Sequence, residues 1–261
     1  MIRAILSKAI AALCIGLELW LVPAPYRAVA IVLTVAALAA FLAWVIVVPS
    51  AQFLVPSVFA LPPDAGQRIA FTFDDGPDPV TTPKILELLA AHHAHATFFV
   101  VGERAERHPE LVARIIAEGH AVGSHTFTHS HAFHFGSPAK QRADVQRGID
   151  VVTRITGKRP RLFRPPQGLR TPLLRDALAS MQDLVCVTWT ERGLDAMGRP
   201  ASKIVDRLEG TVRPGAILTL HDGAGLGGTL DRSPTVEALG TLLDLAAARG
   251  LSCVSLVEAG T

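Results

Sequence analysis

Cysteine is scarce in this chain. Cys14, Cys186 and Cys253 are the whole supply, which is too few for a disulfide framework. Cys14 lies in an apolar stretch, and Cys186 and Cys253 read as buried free thiols. An excess of either charge is also missing. A formal net charge of +2 leaves no basic footprint for nucleic acid. Low-complexity tracts are absent, and no second domain fits after residue 67. Nothing in the sequence sets an oligomeric state.

The absence that decides most is charge near the N-terminus. Residues 1–63 carry only Arg3, Lys8, Glu18 and Arg27, and from Ala28 to Pro63 there is none. The run "AVAIVLTVAALAAFLAWVIVV" (28–48) is therefore twenty-one uncharged residues, long enough as a helix to cross a hydrocarbon core of about 30 Å. A core helix would show a polar face, and this one shows none. The stretch 9–22 is interrupted by Glu18 and preceded by Lys8. It reads as a second span, an interfacial helix or part of a leader. The cations Arg3, Lys8 and Arg27 precede the strong span, and none follows until Arg68. That asymmetry anchors the protein in the cell membrane with its C-terminal part outside; two spans with the N-terminus inside would reverse the placement. The expected division is a membrane region, 1–63, and a soluble domain, 64–261.

From residue 67 short apolar runs alternate with helical segments about seven times. "IAFTF" (69–73), "ATFFVVG" (96–102), "HAVGS" (120–124), "RLF" (161–163), "LVCVTW" (184–189), "AILTL" (216–220) and "LSCVSLV" (251–257) read as strands. They are continuous apolar runs, so both faces are buried and the sheet is parallel and helix-covered. Their even spacing favours a closed or nearly closed α/β barrel over an open sheet. Proline near the helix starts and Gly119 and Gly157 at helix ends mark the boundaries, with Thr82 as the expected cap of the first helix.

The chemistry-bearing side chains fall just beyond strand ends. Asp74 and Asp75 end "IAFTFDD", His125 follows "HAVGS", Arg164 follows "RLF", Asp195 lies past "LVCVTW", and His221 follows "AILTL". Active sites of parallel α/β folds are built on that rim. Two adjacent like charges ask for an explanation. Successive side chains diverge, so one carboxylate can bind a cation while its neighbour stays free as a base. His125 and His129 are spaced i,i+4, which on a helical turn would place both on one ion. Asp75, His125 and His129 then form a three-ligand site with room for water, as in catalytic zinc. The competing account of the histidine pair is a chance surface spacing, and His131 and His134 are near enough to be rival ligands. Rim carboxylates also suit a glycosidase, but that leaves the histidines unused. Two histidines and a carboxylate suit a non-haem iron oxygenase. A membrane-anchored sugar-binding module without turnover is a third alternative.

Together "TFDDGP" (72–77), "SHTFTH" (124–129), "FRPPQG" (163–168), "WTERGLD" (189–195) and "LTLHDG" (218–223) resemble the polysaccharide deacetylase family, the NodB-homology domain of carbohydrate esterase family four. The likeness runs in order over about residues 68–257. It implies a distorted seven-stranded (β/α) barrel and metal-dependent removal of acetyl groups from an amino-sugar glycan. It makes Asp74 the general base and Asp75, His125 and His129 the ligands of a divalent metal, most simply Zn²⁺. It pairs Arg164 with Asp74, makes His221 the general acid and has Asp195 orient it. It assigns Gln167, through its backbone N–H, to the oxyanion, and sets Pro166, Trp189 and Leu220 on the substrate side. The chain departs from the family at Gln167 (commonly Tyr), Arg192 (commonly Asp), Ala196 (commonly Trp) and Thr219 (often Leu). These changes leave the ligand set intact and bear on substrate choice.

Overall fold

The computed structural model describes residues 16–17, 20–223 and 230–260. Most of the stretch 9–22, including Glu18, lies outside the described residues, as does Cys14. The first long element is α1, Arg27–Val47. With the short turn before it, Ala24–Val47 is long and apolar enough to cross a membrane, at a mean hydropathy of 2.7. Its flanks are exposed, whereas Val45 near its end is buried.

Among the described residues eight parallel strands follow: β1 Arg68–Asp74, β2 Ala96–Val100, β3 Ala121–Ser124, β4 Leu162–Phe163, β5 Val185–Cys186, β6 Glu191–Arg192, β7 Ile217–His221 and β8 Ser252–Cys253. Seven of them form one curled path in the order β5-β4-β3-β2-β1-β7-β6, and β8 pairs with the start of β1. The helices between them are α2 Thr81–Ala91, α3 Gly102–Arg107, α4 Pro109–Ala117, α5 Pro138–Thr156, α6 Pro172–Leu178, α7 Ala201–Leu208 and α8 Ser233–Ala248. This is the expected distorted (β/α) barrel. Strand β6 and helix α3 are additions to the sequence reading, because each is too short to leave a periodic signal.

Alternation along β1 and β2 sets up everything that follows. Phe71, Phe73, Phe98 and Val100 pack outward among the helices, with Leu86, Val112 and Leu243. Ala70 and Phe99 turn inward with Leu162, Val187 and Ile217. Two-residue periodicity therefore carries Ala70, Thr72 and Asp74 up the inside of β1, and Ile217, Thr219 and His221 up the inside of β7. Asp74 and His221 are register partners on adjacent strands.

The outer strands β5 and β6 do not pair with each other, and residues 58–61 lie across that seam. Val58 N–H donates to Cys186 (2.9 Å), its carbonyl accepts from Thr188 N–H (2.8 Å), and Leu61 N–H donates to Gly215 (2.8 Å). The edges are thereby covered rather than left open to another chain. Next to the seam, fully buried Arg170 takes the end of α1. Its guanidinium donates to the carbonyls of Val48 and Ala51 and to Ser57 Oγ, and its own N–H reaches Ile46 O at 3.1 Å. A cation here satisfies carbonyls that the last helical turn leaves open and meets the negative end of the helix dipole. Val45, Leu54 and Val55 add an apolar contact with Phe133, Phe163 and Leu174. Cys186 and Cys253 are both free thiols.

Candidate active site

Strand β1 ends in a change of backbone conformation. Asp74 keeps the strand geometry and points inward, while Asp75 adopts φ 73° and leaves the strand direction. The two carboxylates accordingly find different partners. Asp74 Oδ1 accepts from Arg164 at 2.7 Å, and the same guanidinium donates to Thr72 Oγ1 (2.9 Å) and Thr188 O (2.7 Å). Arg164 is fully buried with its guanidinium carbon 4.1 Å above the Phe99 ring. Burial pulls its pKa down, and the Asp74 charge opposes that pull.

Asp75 faces the histidines. Its Oδ1 lies 3.1 Å from His129 Nε2 and 3.5 Å from His125 Nε2. The helical turn expected for this pair is not what forms. His125 follows β3 directly, and the loop turns back through left-handed Thr126 (φ 66°) and His129 (φ 50°). Thr126 Oγ1 accepts from His129 N–H at 3.0 Å, closing a side-chain turn where a helix would need a backbone bond. The rings still stand 4.9 Å apart.

Donor chemistry tests whether a cation fits. His125 Nδ1 lies 2.7 Å from Arg164 O; a carbonyl only accepts, so Nδ1 carries the proton and Nε2 is turned to Asp75. Burial, and then the neighbouring His125, hold His129 down at about 4, so it is neutral near pH 7. Asp75 Oδ1 and His129 Nδ1 are buried without a hydrogen-bond partner among the described residues. Acceptors crowding one point in a dry site are unfavourable unless a cation lies between them. The ligand atoms of Asp75, His125 and His129 all lie within 4.8 Å of one another, a donor set suited to a borderline divalent ion. The backbone carbonyl behind His125 fixes its tautomer, as outer partners of metal-ligating imidazoles do. His134 is not part of this set; its Nε2 is engaged by Pro166 O at 2.9 Å.

Across the pocket stands His221. Its Nδ1 is 2.8 Å from Asp195 Oδ1, and its backbone N–H donates to Asp195 Oδ2 at 2.9 Å. Burial opposes protonation of this ring, but the Asp195 carboxylate, helped by Asp75 and Asp74, outweighs it and raises His221 to about 9. Asp195 also accepts from Thr235 Oγ1 at 3.0 Å, and Arg232 stands 3.9 Å away. Arg232 and Thr235 lie outside the motifs, so only the fold reveals them.

A cavity of about 290 Å³ joins these groups, lined by Asp74, Asp75, His125, His129, Gln167 and His221 together with Trp189, Arg192, Thr219 and Met197. His131 reaches its lining without joining the ligand cluster. Two expected substrate-side residues are not in that lining. Leu220 is fully buried in the helix-facing core, because alternation on β7 turns it opposite to Thr219 and His221. Pro166 is buried in the short turn that carries Gln167. Five strand ends thus bring together Asp74–Asp75, His125, Arg164, Asp195 and His221.

Comparison with known proteins identifies the family. A profile of the family described as polysaccharide deacetylase matches residues 62–183. The chain is 36% identical over 197 residues to a peptidoglycan-N-acetylglucosamine deacetylase of Bacillus cereus, covering 75% of this chain and 89% of that protein. It is 35% identical over 193 residues to a chitooligosaccharide deacetylase of a Bradyrhizobium species, covering 70% and 86%. A crystal structure of a peptidoglycan N-acetylglucosamine deacetylase, bound to 4-naphthalen-1-yl-N-oxidanyl-benzamide, superposes with a TM-score of 0.70 at 32% identity, over 77% of this chain and 91% of that one. The chain belongs to the polysaccharide deacetylase family.

Proposed function

We propose that this protein is a membrane-anchored hydrolase that removes N-acetyl groups from an amino-sugar glycan, using a divalent metal held by Asp75, His125 and His129. The observation that carries the reading is the convergence of those three ligand atoms within 4.8 Å, with a second carboxylate beside them and a cationic imidazole opposite. When bound, a divalent ion, Zn²⁺ by the donor set, supplies Lewis acidity and brings the pKa of water towards 7. Asp74, held by Arg164, takes the proton of the attacking water at its free oxygen. The acetyl carbonyl is the electrophile, and the backbone N–H of Gln167 donates to the oxygen that becomes negative. An amine leaves poorly unless protonated, and His221 donates that proton from Nε2 while Asp195 holds Nδ1. Trp189 packs against the acetylated sugar. The products are acetate and a free amino sugar.

The anchor bears on where the glycan is. Gln167 lines the pocket, and Arg170, three residues on, grips the end of α1. Three residues span at most about 10 Å, so the pocket mouth and the end of the apolar helix share one side of the barrel. That supports a substrate at the membrane surface or linked to lipid, and the cations Arg3, Lys8 and Arg27 ahead of the apolar run favour a barrel outside the cell. Acetate release from N-acetylglucosamine oligomers, with and without chelator, tests the activity. Release that stops on chelation and returns with Zn²⁺ supports it; cleavage of the glycosidic bond or dependence on dioxygen would assign the site to another chemistry. Equal turnover of soluble and lipid-linked oligomers by the intact protein would remove the membrane preference.

A further inference from the structure

One charge in the pocket has no role in the steps above. Asp74 is paired with Arg164 at 2.7 Å and His221 with Asp195 at 2.8 Å, and Asp75 faces the two histidines. Arg192 remains. It lines the cavity, with its guanidinium carbon 5.3 Å over the Trp189 ring. No carboxylate among the described residues pairs with it. The adjacent Glu191 is committed to Arg207 at 2.6 Å, and Asp195 is committed to His221, Thr235 and Arg232. Residues 224–229, "AGLGGT", contain no acid. The wall beyond it is Leu194, Ala196 and exposed Met197, which offers no other polar partner.

A guanidinium held over an indole by cation–π attraction, with no hydrogen bond from it among the described residues, has its donors available to grip a carboxylate or phosphate bidentately. The register places Arg192 beside Thr219, one strand across and two residues before His221. By strand geometry the Cα atoms of Arg192 and His221 stand about 8 Å apart. A side chain at that separation reaches a substituent on the acetylated sugar or its neighbour while His221 serves the leaving amine. Arg192 is half-buried in the free protein, and a neutral oligomer filling the cavity would cover this cation without pairing it, which is unfavourable.

We propose that Arg192 forms an anion subsite, so that the substrate is an acidic amino-sugar glycan bearing a carboxylate or a phosphate next to the acetylated residue. This rests on the deacetylase reading and narrows its substrate. The probes are three acetylated glycans: a neutral N-acetylglucosamine oligomer, an oligomer with a carboxylate-bearing neighbour sugar, and one carrying a phosphodiester at its reducing end. The full chain in detergent is compared with Arg192→Gln and Arg192→Lys. The expected result is a kcat/KM about tenfold higher for one or both anionic glycans than for the neutral one. Arg192→Gln brings that ratio towards one, and Arg192→Lys keeps part of it, as a bidentate site requires. The two anionic arms identify which group is read. Equal kcat/KM for all three glycans in the wild type overturns the subsite. So does an unchanged ratio in Arg192→Gln accompanied by weaker inhibition by acetate, which would give Arg192 to the departing product. If none of the three releases acetate, the deacetylase reading fails, and the dissociation constants of the same glycans for wild type and Arg192→Gln decide the subsite by themselves.

Discussion

At the scale of single residues, the two adjacent aspartates resolve into separate tasks through one backbone angle. Asp74 remains in strand geometry against Arg164, and Asp75 at φ 73° meets the imidazoles. One variant separates these tasks. Asp74→Asn is expected to lower kcat by about 10² to 10⁴, the range for a lost general base, while metal affinity stays at the wild-type level in a binding titration. A parallel loss of metal would make Asp74 a ligand instead. His221 gives a pH prediction. Its pKa is raised to about 9 from an ordinary 6.5, so the cationic form that can donate a proton persists from acid up to that value and disappears above it. Turnover should therefore fall as pH rises through about 9. A cation on Asp75 cancels part of the raising field and moves this limb lower, never higher. Asp195→Asn removes the largest raising partner and should shift the limb down by about one unit or more in a kcat–pH profile. A limb that stays in place would exclude His221 as its source. The same raised pKa stabilises the fold fully below about pH 6.5, and that contribution fades as pH rises through about 9.

At the scale of elements, buried polar side chains hold the loops in place. Asp78 Oδ1 accepts from Val80 and Thr81 N–H at 2.9 and 2.8 Å and so starts α2. Thr82, expected as the cap, instead donates to Asp222 Oδ2 at 2.6 Å. Asp222 in turn lies against Gly76, where an added Cβ would approach its Oδ2 to 2.0 Å. Gly76→Ala should thus displace the Asp75 turn and weaken metal binding at least tenfold in the same titration; wild-type affinity would show that Asp222 yields instead. Arg170 is the corresponding device at the end of α1. Arg170→Met leaves several buried carbonyls without a donor and is expected to destabilise the fold by about 3 kcal/mol or more, read as a shift in denaturant midpoint. The parallel sheet, the main helices and the placement of Asp74, Asp75, His125, Arg164, Asp195 and His221 at strand ends were legible in the sequence because strands buried on both faces read as unbroken apolar runs. What escaped was set by particular side chains. Thr126 replaces the helical turn at the histidine pair, β6 is two residues inside a polar motif, and strand parity sends Leu220 away from the pocket. Arg232 and Thr235 lie in no motif that marks them as neighbours of Asp195, and Asp222, although it sits inside "LTLHDG", carries no sequence sign that it reaches Thr82 and Gly76.

At the scale of the whole molecule, the segment after α1 belongs physically to the barrel. Residues 58–61 cross the seam between β5 and β6, and Leu54, Val55 and Leu61 are buried. A fragment of residues 50–261 is therefore expected to unfold at a clearly higher denaturant concentration than one of residues 64–261, which loses the seam; equal midpoints would show that the barrel closes without it. The same packing ties the candidate pocket to the apolar helix through Arg170, so the anchor proposed above would fix the height of the site over the bilayer. The proposed chemistry nevertheless depends on one shared ion. The most direct measurement is calorimetric titration of Zn²⁺ into the chelator-stripped full chain and into His125→Ala, with acetate release followed in the same samples. Asp75, His125 and His129 predict one ion per wild-type chain and turnover that rises with occupancy, and neither in His125→Ala. Full turnover in the stripped wild type, or wild-type affinity in His125→Ala, would contradict it.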